Sequence, residues 1–121
     1  MNRIITAALT ALLITGPAAA LFADTMGTFT GASGHVTKGG VSVTKNADGT
    51  STVTFDSSFF HDGAPDPHVG FGKDGKYIVG TDLGLLQSLN GAQSYIVPAD
   101  ISIDDLDELY IWCLKFSVPL G

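Results

Sequence analysis

One cysteine, Cys113, three histidines, His35, His61 and His68, and a carboxylate two residues from the last of them, Asp66, are the side chains with the most chemical reach in this 121-residue chain. A lone thiol can serve as a small buried hydrophobe, as a redox group or as a thiolate ligand, and the last two need some exposure and a lowered pKa. Asp66 and His68 flank Pro67. Residues i and i+2 of an extended chain lie on one side, so the carboxylate can orient the imidazole as a proton-transfer pair or as half of a metal site. The plainer alternative has Asp66 accepting backbone N–H bonds in a turn while His68 faces water. Pro65 and Pro67 stiffen this loop by fixing their own φ and extending the residues before them.

His35, His61 and His68 are candidate metal ligands by type, and with Cys113 they invite comparison with blue copper, whose set is His₂Cys and a weak axial Met. The order of residues argues against copper: no histidine or methionine follows Cys113, and Met26 is the only methionine beyond the first residue. The acidic run Asp100, Asp104, Asp105, Asp107 and Glu108 lacks the spacing and glycine of a calcium loop and reads as a solvated turn. Hydrolase and transferase signatures are missing as well, with neither a Gly-x-Ser-x-Gly elbow nor a phosphate-binding Gly-rich loop ending in Lys-Ser/Thr.

What must position these residues is a set of strands. Residues 41–44 and 52–55 alternate apolar and polar around a turn at residues 46–49, the pattern of a hairpin. Further strands are expected at residues 28–30, 68–71, 77–79, 94–97 and 109–116, with tight turns at residues 73–76 and 90–91. The last of these strands is apolar on both parities and is expected to be central, covered on both faces. Alternation places Ile111, Cys113 and Lys115 on one face and Tyr110, Trp112, Leu114 and Phe116 on the other. Lys115 would then favour the thiolate if both lie near the edge of the sheet. Residues 103–109 offer at most one short helical turn, started by acidic residues. The expected fold is all-β, a single antiparallel β-sandwich of Greek-key or jelly-roll type.

Residues 1–20 stand apart. Arg3 precedes an apolar run to Ile14, then Gly16–Pro17 and the small residues Ala18, Ala19 and Ala20, which reads as a secretory signal peptide cut after Ala20. A membrane anchor running on to Ala23 is the alternative, weakened by Pro17. Residues 21–121 form one domain with five Lys, no Arg and twelve acids, so 5 − 12 = −7. The expected location is periplasmic or secreted, with no membrane span after cleavage. Scattered lysines on an acidic chain exclude nucleic acid as a partner.

The C-terminal residues carry a resemblance. Tyr95–Pro98, Ile101–Ile103, and then Ile111, Trp112 and Cys113 followed by Phe116, Ser117 and Val118, closely resemble the C-terminal signature of the DM-thirteen domain. Residues 64–69 resemble its central motif, and Phe29 to Gly31 with Ser33 to Thr37 its N-terminal one. The central motif continues as Val69–Gly70–Phe71–Gly72 where relatives often carry Tyr–Leu. The resemblance implies a small secreted β-rich domain, found alone in bacteria and in animal Skeletor-like proteins beside DOMON and cytochrome-b-type redox modules. It implies an electron-transfer or redox-associated role centred on Cys113, as a free thiol or as a ligand to a prosthetic group such as haem. Asp66, His68 and Trp112 are the supporting residues, and a separate redox protein or a cell-surface partner would complete the system. The opposing expectation is a non-enzymatic binding or matrix-interaction module in which Cys113 packs the core, with no cofactor.

Overall fold

The computed structural model describes residues 24–121; the expected signal peptide, residues 1–20, lies outside the described residues. Ten strands follow in order: β1 (Thr25–Thr28), β2 (Thr37–Lys38), β3 (Gly40–Lys45), β4 (Ser51–Phe55), β5 (Phe60–His61), β6 (Pro67–Lys73), β7 (Lys76–Tyr77), β8 (Gln93–Val97), β9 (Glu108–Cys113) and β10 (Val118–Pro119). They build an antiparallel sheet β1-β3-β4-β8, a second antiparallel sheet β10-β9-β6-β7, and a two-stranded ribbon β2-β5. The fold is all-β, as the alternation predicts. No helix among the described residues is long and apolar enough to cross a membrane.

The expected hairpin forms between β3 and β4, with Val43 opposite Val53. Its turn closes through Gly49, whose φ of 92° is one that glycine adopts without strain. Between β6 and β7, Asp74 and Gly75 both have positive φ, as a two-residue hairpin turn requires. The core is filled from both sheets: Val53 and Phe55 of β4 and Tyr95 and Val97 of β8 meet Val69 and Phe71 of β6 and Ile111 and Cys113 of β9. Phe29 closes one end, edge-on to Phe55 and Phe59 at 5.1 and 5.5 Å between ring centroids.

Several strand bounds differ from the sequence expectation, each for a local reason. The first strand lies at Thr25–Thr28 rather than residues 28–30, because it pairs with β3 only as far as Gly40, and Phe29 then turns in to the core. Tyr77 ends β7, and a 3-10 turn over Val79–Thr81 follows, held by the Thr81 hydroxyl donating to the Ile78 carbonyl at 2.7 Å. The expected helical turn near residue 103 is a second such turn, Ile103–Asp105. The largest change is at β9, which stops at Cys113. Leu114 donates its N–H to the Asp66 carbonyl at 3.1 Å, Ser117 takes φ 54°, and the chain reverses into β10. Lys115 and Phe116 therefore sit exposed in a turn. The lysine does not share a strand face with the thiol. The face of β9 opposite Ile111 and Cys113 is half-covered rather than sealed.

Candidate functional site

Pairing of β6 with β9 sets Val69 opposite Ile111 and His68 opposite Trp112. Directly opposed residues of an antiparallel pair point to the same side, so the sheet separates two populations. Inward go Val69, Ile111 and Cys113, each at most 1% exposed. Outward go His68, Trp112 and Tyr110, together with Gly70 and Gly72. Cys113 and the Asp66–His68 pair thus lie on opposite faces of one sheet.

The outer face holds a continuous hydrogen-bonded chain. Tyr77 Oη donates to Asp82 Oδ2 at 2.8 Å, Asp82 Oδ1 lies 2.9 Å from His68 Nδ1, and His68 Nε2 lies 2.9 Å from Asp66 Oδ1. Asp82 is placed because residues 83–86 run along β6, with Leu83 N–H donating to Val69 O at 2.7 Å and Leu86 N–H to Pro67 O at 2.8 Å. The Gly84 N–H adds a third bond to Asp82, at 2.8 Å. Burial opposes charge on His68, but the carboxylates on its two ring nitrogens outweigh it and hold the imidazole pKa above its ordinary value. Burial likewise resists the Asp82 charge, yet the bonds from His68, Tyr77 and Gly84 win and hold its carboxyl below the usual range. Burial, followed by the hydrogen bond to Asp82 and its negative charge, pushes the Tyr77 phenol far up.

Aromatic rings cover this chain. Tyr77 stacks on Trp112 with centroids 4.6 Å apart and planes 3° from parallel, while Tyr110 stands edge-on to Trp112 at 5.7 Å and to Tyr77 at 6.0 Å. The flat seat for these rings is the pair of glycines in the Val69–Gly70–Phe71–Gly72 continuation: a Cβ on Gly70 would collide with the Tyr77 phenol, and one on Gly72 would lie 2.5 Å from the Tyr110 ring. Glycine at positions 70 and 72 thus has a packing reason.

Cys113 is a free thiol in an apolar cluster, 1% exposed. A haem iron bound at sulfur needs an open face there large enough for a macrocycle, and Cys113, 1% exposed within the apolar cluster, offers none. A hollow of about 300 Å³ between the sheets lies beside β1 and is lined by Val41, Val43, Phe71 and Leu106, not by Cys113. The residues around the thiol do not fit a haem.

His35 and His61 meet elsewhere, at the β2-β5 ribbon, where their rings stack at 5.7 Å. His35 Nδ1 is 2.9 Å from Asp62 Oδ1, and Asp62 Oδ2 accepts the Val36 N–H at 3.0 Å. These three side chains could place one ligand atom each within 4.8 Å of one another. His68 is not among them. The Thr37 hydroxyl donates to Leu120 O at 2.7 Å, so its 2.9 Å contact with His61 Nδ1 requires the ring to donate there. His61 Nε2 is then a buried acceptor without a partner, and burial lowers the pKa of this histidine.

Residues 28–121 match the DM13 family, described as electron transfer DM13. The chain belongs to the DM13 family. No curated protein and no solved structure matches it. The N-terminal and C-terminal segments meet at the ribbon, where Ser33 Oγ donates to Pro119 O at 2.5 Å and Thr37 to Leu120 O, while residues 67–72 pair with β9. Sequence reasoning paired Asp66 with His68 and placed Trp112 on the opposite face from Cys113. It missed Asp82 and Tyr77, whose link to His68 spans a loop and leaves no spacing signal in the sequence.

Proposed function

We propose that this DM13 domain is an exported component of an electron-transfer system, working with a separate redox protein, and that its functional face is the outer side of β6, β7 and β9 rather than the thiol. The observation that carries this is the partition across one sheet: Cys113 faces inward at 1% exposure, while Trp112, Tyr77, Asp82 and His68 gather on the outer face. Thiol redox chemistry needs a thiolate that a partner or base can reach, and nothing in the apolar cluster offers one. Cys113 then serves as core packing. Loss of the leader after Ala20 delivers the domain outside the cytoplasm, where a sealed thiol also escapes oxidation.

Native-state alkylation tests the reading. A thiol reagent added to the folded protein should label Cys113 only at the rate of unfolding, and mass analysis of the exported form should give Leu21 as its first residue. Labelling of the folded protein at the rate of a free thiol would return the redox chemistry to Cys113.

A further inference from the structure

The outer-face chain has a directionality that the electron-transfer association alone does not explain. A phenol donates its proton to a carboxylate, that carboxylate is held by an imidazole and a backbone N–H, and the phenol ring lies flat on an indole. Phenols are oxidised by one electron far more readily when the proton has a base waiting within hydrogen-bond distance. Asp82 is that base. Its second oxygen is occupied by His68 and Gly84, so the free direction of Oδ2 points at Tyr77.

We propose that Tyr77 is a proton-coupled redox tyrosine, with Asp82 as its proton acceptor and Trp112 as the stacked ring through which the electron leaves. In the step, the Tyr77 O–H bond breaks, the proton forms a new O–H bond on Asp82 Oδ2, and one electron passes to a high-valent metal centre in the redox partner, which is reduced by one unit. Tyr77 becomes a neutral phenoxyl radical. A one-electron donor later returns the electron and the proton moves back from Asp82.

Three features of the structure favour this tyrosine over the other two. Tyr95 donates to Gln93, an amide that cannot take a proton, and its ring belongs to the core. Tyr110 donates to the Glu108 carboxylate at 2.9 Å, but Glu108 has no imidazole behind it, and Tyr110 meets Trp112 only edge-on, at 76°. Tyr77 alone combines a carboxylate, an imidazole relay and a parallel indole. The phenol's resistance to ionising keeps the proton on Tyr77 until the electron goes, and Asp82 Oδ2 at 2.8 Å is in place to take it.

The proposal rests on the electron-transfer reading for its physiological setting, while its test does not. Flash photolysis of the purified protein with tris-bipyridyl ruthenium and persulfate supplies the one-electron oxidant, and rapid freezing with electron paramagnetic resonance reads the product. The expected result is a tyrosyl signal that is lost in Tyr77→Phe, kept in Tyr110→Phe, and formed about 10²-fold more slowly in Asp82→Asn. Ring-fluorinated tyrosine at position 77 keeps the packing and should change the hyperfine pattern, which covers the case of a variant that folds poorly. A signal that persists in Tyr77→Phe, or that is unaltered by fluorination at position 77, overturns the proposal. So does an unchanged rate in folded Asp82→Asn. If Tyr77 fails this test while the protein still exchanges electrons with a partner, the wider reading stands without it.

Discussion

His68 and His61 should titrate on opposite sides of the ordinary imidazole value. His68 is raised, since two carboxylates overcome the effect of its burial, so its stabilising effect is complete below the unfolded value near 6.5 and fades as pH rises through the higher folded value. His61 is lowered by burial, so its linkage has the opposite sign: stability is full above about 6.5 and is lost as pH falls toward the folded value. Histidine ring resonances followed by NMR across pH 4–9, roughly the span in which imidazoles titrate, should show the two midpoints straddling that value. Replacing His68 with Gln should flatten the decline of thermal stability on the alkaline side, while on the acid side the loss begins with His61 and continues at lower pH with carboxylates such as Asp62 and Asp82 whose pKa values are held down. At Cys113, replacement by Ala should cost about 1 kcal/mol through the small cavity it leaves, and replacement by Ser roughly 1–3 kcal/mol through a buried hydroxyl without a partner. Denaturant melts of both variants check the order. The Asp66–His68 contact was legible because period-2 geometry is local. The Tyr77–Asp82 end was not, because only the fold of residues 83–86 along β6 creates it.

At the scale of elements, the glycines of β6 are the informative positions. Gly70→Ala would lift the Tyr77 ring from the sheet, since the new Cβ meets the phenol, and should cost about 1–3 kcal/mol as an overpacked contact. The loss of the Tyr77 to Asp82 bond should go with it, seen as a fall in the phenol pKa by ultraviolet titration. Gly39→Ala should be worse, because φ there is 112° and a Cβ would sit 2.5 Å from the Phe59 Cα, a backbone that cannot step aside. Its melting temperature should drop further than that of Gly70→Ala. The β3-β4 hairpin could be read in advance because alternation and a turn sequence agree. The end of β9 could not, since residues 114–116 continue the apolar pattern while a tertiary bond from Leu114 to Asp66 and the φ of Ser117 reverse the chain. That same reversal removed Lys115 from the neighbourhood of the thiol.

Over the whole molecule, charge and topology set how it meets others and how it comes apart. Residues 24–121 keep all twelve acids against five lysines, so a protein partner with a basic surface would be drawn in, and its association rate should fall steeply with added salt. The two sheets are joined mainly by side chains, with β6 and β9 paired across a chain that visits the first sheet between them as β8. Trp112 is the only tryptophan, and its stack on Tyr77 belongs wholly to the second sheet. Nature has thereby put a single optical probe on one half of the sandwich. Its fluorescence reports when β6, β7 and β9 separate, whereas circular dichroism averages over every strand, so superimposable unfolding curves would mean the halves yield as one cooperative unit and an earlier fluorescence change would mean that the aromatic face opens first.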